Sequence, residues 1–531
     1  MEVREIDVKV FEQEVQSLKS KGFDFLRNMT GVDYTPMMAE EGSDEKYFGA
    51  VYQFENSQTF ENVNLKVIAQ KVGEEYVIPS ITKYYAAANF LEREAYDFVG
   101  IIFTGNPDMR RLYLRNDFVG FPLRKDYDMS PENPSNKMPA DDDVDTDFTW
   151  EYNLTEDGKL VKTEKRVWEP EDYVINIGPQ HPATHGVLRY QTALDGENIK
   201  KIDVHAGYIH RGIEKICELG TYQQTLAFTD RLDYLSANQN RHALCMCIEQ
   251  AMGVEVTDRI KYIRTIMDEL QRLDSHLLYY SCCGQDLGAL TAFIYGMRDR
   301  EHVLNVMEET TGGRLIQNYN RIGGVQADID PHFVENVKKL ITYLRPWFKE
   351  YHDVFGGNVI FEQRFEKVGV LSKEDAIAYG CTGGTGRASG WNCDVRKRHP
   401  YAMYDKVDFD EIVLNNGDSM DRYLVRIREM EQSLRIIEQL IDNIPEGDFY
   451  VKQKPIIKVP EGTYYASVEG SRGEFGAFLI SDGGKNPYRI RFRSMGLPLV
   501  SAMDHLCRDE KIADLIAISA SLDYVVPDID R

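Results

Sequence analysis

The sequence predicts an α+β protein: a small N-terminal α/β unit, an acidic linker, and a larger, mainly helical unit with small β-sheets. Three observations carry this reading. β-prone segments precede a helical one in residues 1–127, a Pro/Asp-rich stretch breaks the pattern, and apolar residues beyond it recur at helical spacing. With 531 residues the chain has material for more than one core.

Within 1–127, Tyr47–Phe54 and Val63–Gln70 are apolar-rich, β-prone and joined by a polar loop, as two strands would be. Pro79–Ser80 offers a helix entrance to ITKYYAAANFLEREAYD, and GNPD at 105–108 is a turn signal beyond it. Residues 128–170 form the expected linker. Its PENPSNKMPADDDVDTD carries three prolines and five aspartates, a composition too polar to bury a core. Residues 171–531 open with alternating apolar and polar residues around Gly/Pro loops, which suggests a small antiparallel sheet. Thr257 then caps a helical stripe of Ile260, Ile263, Met267, Leu270, Leu273 and Leu277; 332–353 and 420–443 read the same way. A last β-rich segment, TYYASVEGSRGEFGAFLISDGGKNPYRIRFRS, precedes a short helix.

A net charge of −24 argues against a nucleic-acid binder. No run approaches the ~18 apolar residues of a membrane-spanning helix, and MEVREIDVKVFEQEV lacks the apolar core of a signal peptide, so a cytosolic chain is expected. The eight cysteines form no C-x-x-C pair, so no zinc or iron–sulfur centre is expected on this chain alone; buried apolar thiols fit better than disulfides.

Two segments concentrate chemistry. In GPQHPATHGVLR, Pro182 and Gly186 make a loop of the stretch carrying His181 and His185. With H-E-x-x-H absent, zinc is disfavoured. A histidine held into a cavity could exchange protons near neutral pH, or the loop could be structural, its histidines satisfying backbone groups. In TDRLDYLSANQNRHA, Arg231, Asp233, Tyr234 and Asn238 are expected on a buried helix, where each polar group needs a partner; a solvated helix face is the alternative. Asp286, just beyond the Ile260–Leu277 stripe, is a third candidate, a carboxylate in want of a partner. GCTGGTGRASG lacks the strand–glycine–helix order of a nucleotide site, and Ser471 and Arg472 sit in a turn with no G-x-S-x-G elbow.

Taken in order, NIGPQHPATHGVLR, HRGIEK, DRLDYLSANQN, YNRIGGV, GRASGWNCDVRKRHPYAMYD and VEGSRGEFGAFLISDGGKNPYRIRFRS resemble the 49-kDa (D) subunit of NADH–quinone oxidoreductase, respiratory complex I, across 171–531. FDFLRNMTGVDY, LEREAYDFVGIIFTGNPDMRRLYL and DFVGFPLRKDY resemble its 30-kDa (C) subunit, so the chain looks like a fused C/D subunit with 128–170 as the fusion linker. The resemblance implies a hydrogenase-large-subunit-like fold for the larger unit and a docking role for the smaller. It also implies a proton-translocating enzyme that reduces quinone at the cytoplasmic side of the inner membrane. On matching positions, His185 and Tyr234 would bond the quinone headgroup beside His181, and Asp286 would partner His185. Arg211 would lie beside the terminal 4Fe–4S cluster of the adjacent B subunit. The chain itself would hold no cofactor; FMN and the clusters belong to partner subunits, and the I and membrane H subunits would be further neighbours.

Two departures from related patterns matter. A histidine that family members often carry two residues after the arginine ahead of Y-x-R-x-G-G-V is Ile316 here, so pH-coupled cluster reduction is expected to weaken, which would suit a low-potential quinone such as menaquinone. The [NiFe] hydrogenases hold their metals with two C-x-x-C pairs; here Asp233 and Ser236 stand where the first would be and VVPDIDR has no cysteine, so that site cannot form. The competing readings are a non-catalytic scaffold of the same arm and a freestanding metalloenzyme.

Overall fold

A computed structural model describes residues 1–40, 43–130, 132–134, 147–181 and 186–531, with only the backbone of His181. The acidic run at 141–146 and the His185 position therefore lie outside the described residues.

In the N-terminal unit the alternation of Phe48–Glu55 and Asn62–Ile68 produces an antiparallel pair, Tyr52 facing Leu65 across it. These two central strands extend to a four-stranded sheet with Phe25–Asp33 on one side and Arg4–Ile6 on the other. The expected helix begins later than its sequence suggests, at Ala88, and ends at Val99. Residues 81–87 form turns instead, because buried Glu92 reaches back to accept from Ile81 N at 2.9 Å and Ser80 Oγ at 2.7 Å. Gly100, at φ 79°, closes the helix, and Ile101–Thr104 then pairs in parallel with Glu75–Pro79, a crossover that periodicity alone did not reveal.

Residues 128–170 are not wholly featureless. Phe148–Leu154 and Leu160–Arg166 form an antiparallel hairpin, and its edge is fixed to the N-terminal unit where Gly105 N and Met109 N donate to Tyr152 O and Trp150 O. Alternating Phe148, Trp150 and Tyr152 supply the β pattern that the adjacent aspartates overshadowed.

The larger unit opens on the expected sheet, Tyr173–Ile177, Arg189–Asp195 and Asn198–His205. Five long helices follow: Ala237–Met252, Asp258–Asp286, Leu290–Thr311, Phe333–Tyr351 and Ser419–Ile441. The predicted Thr257 cap is present, its side chain accepting from Ile260 N. Every residue of the Ile260–Leu277 stripe is fully buried. The last sheet, Gly462–Gly470, Gly473–Ser481 and Arg489–Arg493, rests on Ala237–Met252.

One strand carries much of the contact between the two units. Arg489, Arg491 and Arg493 alternate along Arg489–Arg493 and so point to one face, where they reach Gly31 O, Asn28 Oδ1 and Arg27 O of the N-terminal sheet at 3.3, 2.9 and 2.7 Å. Glu94 pairs with both Arg491 and Arg531, while Glu474 pairs with Arg27 at 2.6 Å and Arg398 at 2.8 Å. All are buried. Among the described residues, no helix is long and apolar enough to cross a membrane.

Candidate functional site

Tyr234 does not sit on a helix. The helix Tyr222–Thr229 ends before Asp230, the next begins at Ala237, and Asp230–Ser236 turn between them. Two side chains hold this turn: Asn240 Nδ2 donates to Asp233 O at 2.9 Å, and Arg472 Nη1 to Asp233 Oδ2 at 2.9 Å. Asp233 also accepts from Leu235 N through Oδ1. Asn238, by contrast, is structural: it donates to Asp268 Oδ1 at 2.7 Å and accepts from Asn320, which satisfies its burial. Arg231 is exposed and donates to Ala227 O.

The half-buried Tyr234 phenol is pushed above its ordinary range, first by burial and then by Asp233, against the opposing pull of Arg472; Cys282 and Asp523 add to the upward push. Cys282 lies on the long helix, whose last residue is Asp286 rather than a residue beyond it. One turn apart, Cys282 and Asp286 share a helix face. Burial, then Asp523, then Asp286 raise the Cys282 thiol to about 11. Tyr234 on its turn, Cys282 and Asp286 on the long helix, and Asp523 near the C-terminus thus border one acidic corner.

The C-terminal segment closes this corner. Tyr524 accepts from the Tyr190 hydroxyl at 2.6 Å, and its own phenol, held up to about 12 mainly by burial, also senses Asp286. Gly186, at φ 153°, lies against Val526, where a Cβ would come within 2.6 Å of Cγ2. Strand Gly186–Val187 pairs with Gln180–His181, so the two ends of the histidine loop lie together, with Gly186 against Val526 of the C-terminal segment, while residues 182–185 fall outside the described set.

Arg211 is exposed at the edge of the same turn and donates to the backbone carbonyl of Arg231 at 2.8 Å. The loop carrying it is pinned from behind: Asp530 accepts from Gly207 N and Ile209 N, and His210 Nδ1 lies 2.5 Å from Asp530 O with its ring against those of Phe98 and Tyr113.

Sequence reasoning left out Arg472, Asp523 and Cys282 as parts of this corner. The available signal was EGSRGE, a charged residue between glycines in an otherwise apolar hairpin. Seven of the eight cysteines are buried and all are free thiols, Cys282 being the half-exposed one. Where the hydrogenase pattern would have thiolates, Asp233 is committed to Arg472 and Ser236 Oγ accepts from Ser471 N.

These two units on one chain, with the corner between the turn, the long helix and the C-terminus, define a large-subunit-type oxidoreductase fold joined to a docking domain. Family profiles agree: the 30 Kd subunit of respiratory-chain NADH dehydrogenase matches residues 4–133, and the 49 Kd subunit matches 286–457 and 452–531. The chain is 61% identical to the C/D subunit of NADH-quinone oxidoreductase from Phocaeicola vulgatus over 525 residues, 98% of each chain. It is 60% identical to that of Bacteroides fragilis over the full length of both, and 46% identical to the separate D subunit from Desulfotalea psychrophila over 362 residues, 68% of this chain and 97% of that one. The chain belongs to the C/D subunits of NADH–quinone oxidoreductase, and so forms part of that multisubunit oxidoreductase.

Proposed function

We propose that the corner bordered by Tyr234 and Asp286, with His185 and His181 on the adjoining loop, binds and reduces the quinone headgroup. Converting a quinone to a quinol takes two electrons and two protons, one proton at each carbonyl oxygen. The electrons come from NADH through the FMN and iron–sulfur clusters of partner subunits. A phenol donates its O–H to one carbonyl; an imidazole partnered by a carboxylate donates to the other, and both are reprotonated from solvent. The observation that carries the reading is the Tyr234 phenol, half-buried in an acidic corner with one braced guanidinium beside it.

The exposed Arg211 suits the neighbourhood of the B subunit's 4Fe–4S cluster, since a cationic surface favours a reduced cluster and an electron passing toward the corner. The I and membrane H subunits are the other neighbours in this reading, which sets the chain at the cytoplasmic face of the inner membrane. Ile316, half-buried near the surface, brings no titrating group to the cluster, which suits menaquinone.

The test uses the assembled complex. Tyr234→Phe and His185→Ala are each expected to lower quinone reduction at least tenfold while NADH oxidation by ferricyanide is retained. Normal quinone rates in both variants would overturn the site. For Ile316, a cluster midpoint with a steep slope between pH 6 and 8 would count against the menaquinone assignment.

A further inference from the structure

The hairpin turn Glu469–Glu474 sends four side chains into four separate buried contacts. Glu469 accepts from Arg387 at 2.9 Å and from Val395 N at 3.0 Å. Ser471 reaches Gln239 Oε1 at 3.2 Å, and Glu474 holds Arg27 and Arg398. Between them, Arg472 is 1% exposed and uses its whole fork: Nη1 donates to Asp233 Oδ2 at 2.9 Å and Ser275 Oγ at 3.0 Å, Nη2 to Asp523 Oδ1 at 3.1 Å, and Nε to Asp523 O at 2.5 Å.

The mount is rigid at its base. At Gly383 (φ +66°) a Cβ would fall 2.4 Å from Arg472 O, so the glycine-rich run 380–390 is moulded onto this turn. Its other end is an unusual ion balance. Asp523 keeps Oδ2 outside any hydrogen bond among the described residues although the side chain is buried, with Arg426 Nε 3.7 Å away. Arg472 thus bonds two carboxylates, one of them Asp233 on the turn that carries Tyr234. The charged and titratable groups within its reach are Asp233 and Tyr234 on the turn, Asp274 and Cys282 on the long helix, and Asp523, with Arg426 beyond it.

A phenol that gives its proton to a quinone oxygen becomes a phenolate in a site that already holds Asp233 and Asp523. Without a compensating cation that charge is costly. We propose that Arg472 is the positioning residue of Tyr234: its fork on Asp233 fixes the turn that aims the phenol, and its charge stabilises the phenolate left when the proton goes to the quinone carbonyl. The inference rests on the quinone reading above. Lysine keeps the charge and can still donate to Asp233, giving up only the other arms of the planar fork, so it retains the cation and the tie to the turn.

The experiment compares Arg472→Gln, Arg472→Lys and Arg472→His in the assembled complex, at equal complex content fixed by ferricyanide-linked NADH oxidation. Arg472→Gln is expected to lower kcat for quinone reduction at least tenfold with KM changed less than threefold, and Arg472→Lys to recover kcat to within threefold of the parent. In Arg472→His the rate relative to the parent rises as pH falls from 8 to 6, because the imidazolium restores the cation. In a Tyr234→Phe background, Arg472→Gln changes kcat less than twofold. Equal loss in the Gln and Lys variants, a flat pH ratio for the His variant, or an undiminished tenfold loss without Tyr234 would each overturn the proposal. A normal rate in Tyr234→Phe alone would instead sink the quinone reading on which it rests.

Discussion

The joint between the two units and the corner around Tyr234 are built from the same material, buried arginines against buried carboxylates, yet they serve opposite ends. At the joint, each carboxylate meets two cations: Glu94 pairs with Arg491 and Arg531, and Glu474 with Arg27 and Arg398. Arg27, Arg398 and Arg493 draw the Glu474 carboxyl well below its ordinary range despite burial. At the corner, one arginine braces two carboxylates beside a phenol pushed the other way. The surplus of cations holds the seam in one protonation state, whereas the carboxylates around Tyr234 keep the phenol protonated until an acceptor draws the proton away. The chemistry lies in the imbalance.

The largest effect expected is at the seam. Glu94→Ala strands two buried guanidinium groups and should cost about 3–5 kcal/mol, read as lowered thermal stability, with the quinone KM of the surviving complex unchanged. A loss under 1 kcal/mol would break the contrast, since the seam would then be held by apolar contact alone. Second is Glu92, a carboxyl beside the seam without a cation, which burial raises to about 7 against three hydrogen bonds. Its folded value lies above its unfolded one, so its contribution is complete below about pH 4.5 and fades as pH rises through about 7. Glu92→Gln should flatten this slope, worth on the order of 2–3 kcal/mol between those limits, in thermal melts taken across pH 4.5–8. An unchanged slope would place the titration elsewhere.

Tyr234→Phe sharpens the comparison from the other side: at least tenfold in quinone reduction, about 1.4 kcal/mol in barrier, with less than 1 kcal/mol in stability, because the hydroxyl belongs to a site and not to a seam. The smallest effect is at the surface. Arg345 bridges Glu431 and Glu438 between two helices in full view of solvent, and Arg345→Ala should shift stability by no more than about 1 kcal/mol, and less at high salt.

Elements with a period were legible in the sequence; those set by remote partners were not. The Ile260–Leu277 stripe, the Thr257 cap and the paired strands of the N-terminal unit follow from local pattern, and the family was readable from ordered motifs. The start of the Ala88–Val99 helix was not, because Glu92 bonds backward to Ile81 and Ser80, a contact that propensity ignores. Tyr234 was identifiable, yet its turn read as helix, since the turn is held by a bond from Arg472 to Asp233, which lie 239 residues apart in the chain. Asp523 stayed hidden for the same reason. Its φ of 57° and its two bonds to Arg472 leave no mark on the residues around it.

The interlock of Gly383 with the 469–474 turn has a consequence for heredity. A substitution at Gly383 touches neither quinone nor cluster, yet any side chain there displaces the backbone that carries Arg472. Mutational maps of this protein should therefore score Gly383 as intolerant as Tyr234, and second-site revertants of a Gly383→Ala lesion should gather in the 469–474 turn. A half-buried glycine such as Gly483, where an added Cβ would meet nothing within 4 Å among the described residues, should yield no such partners.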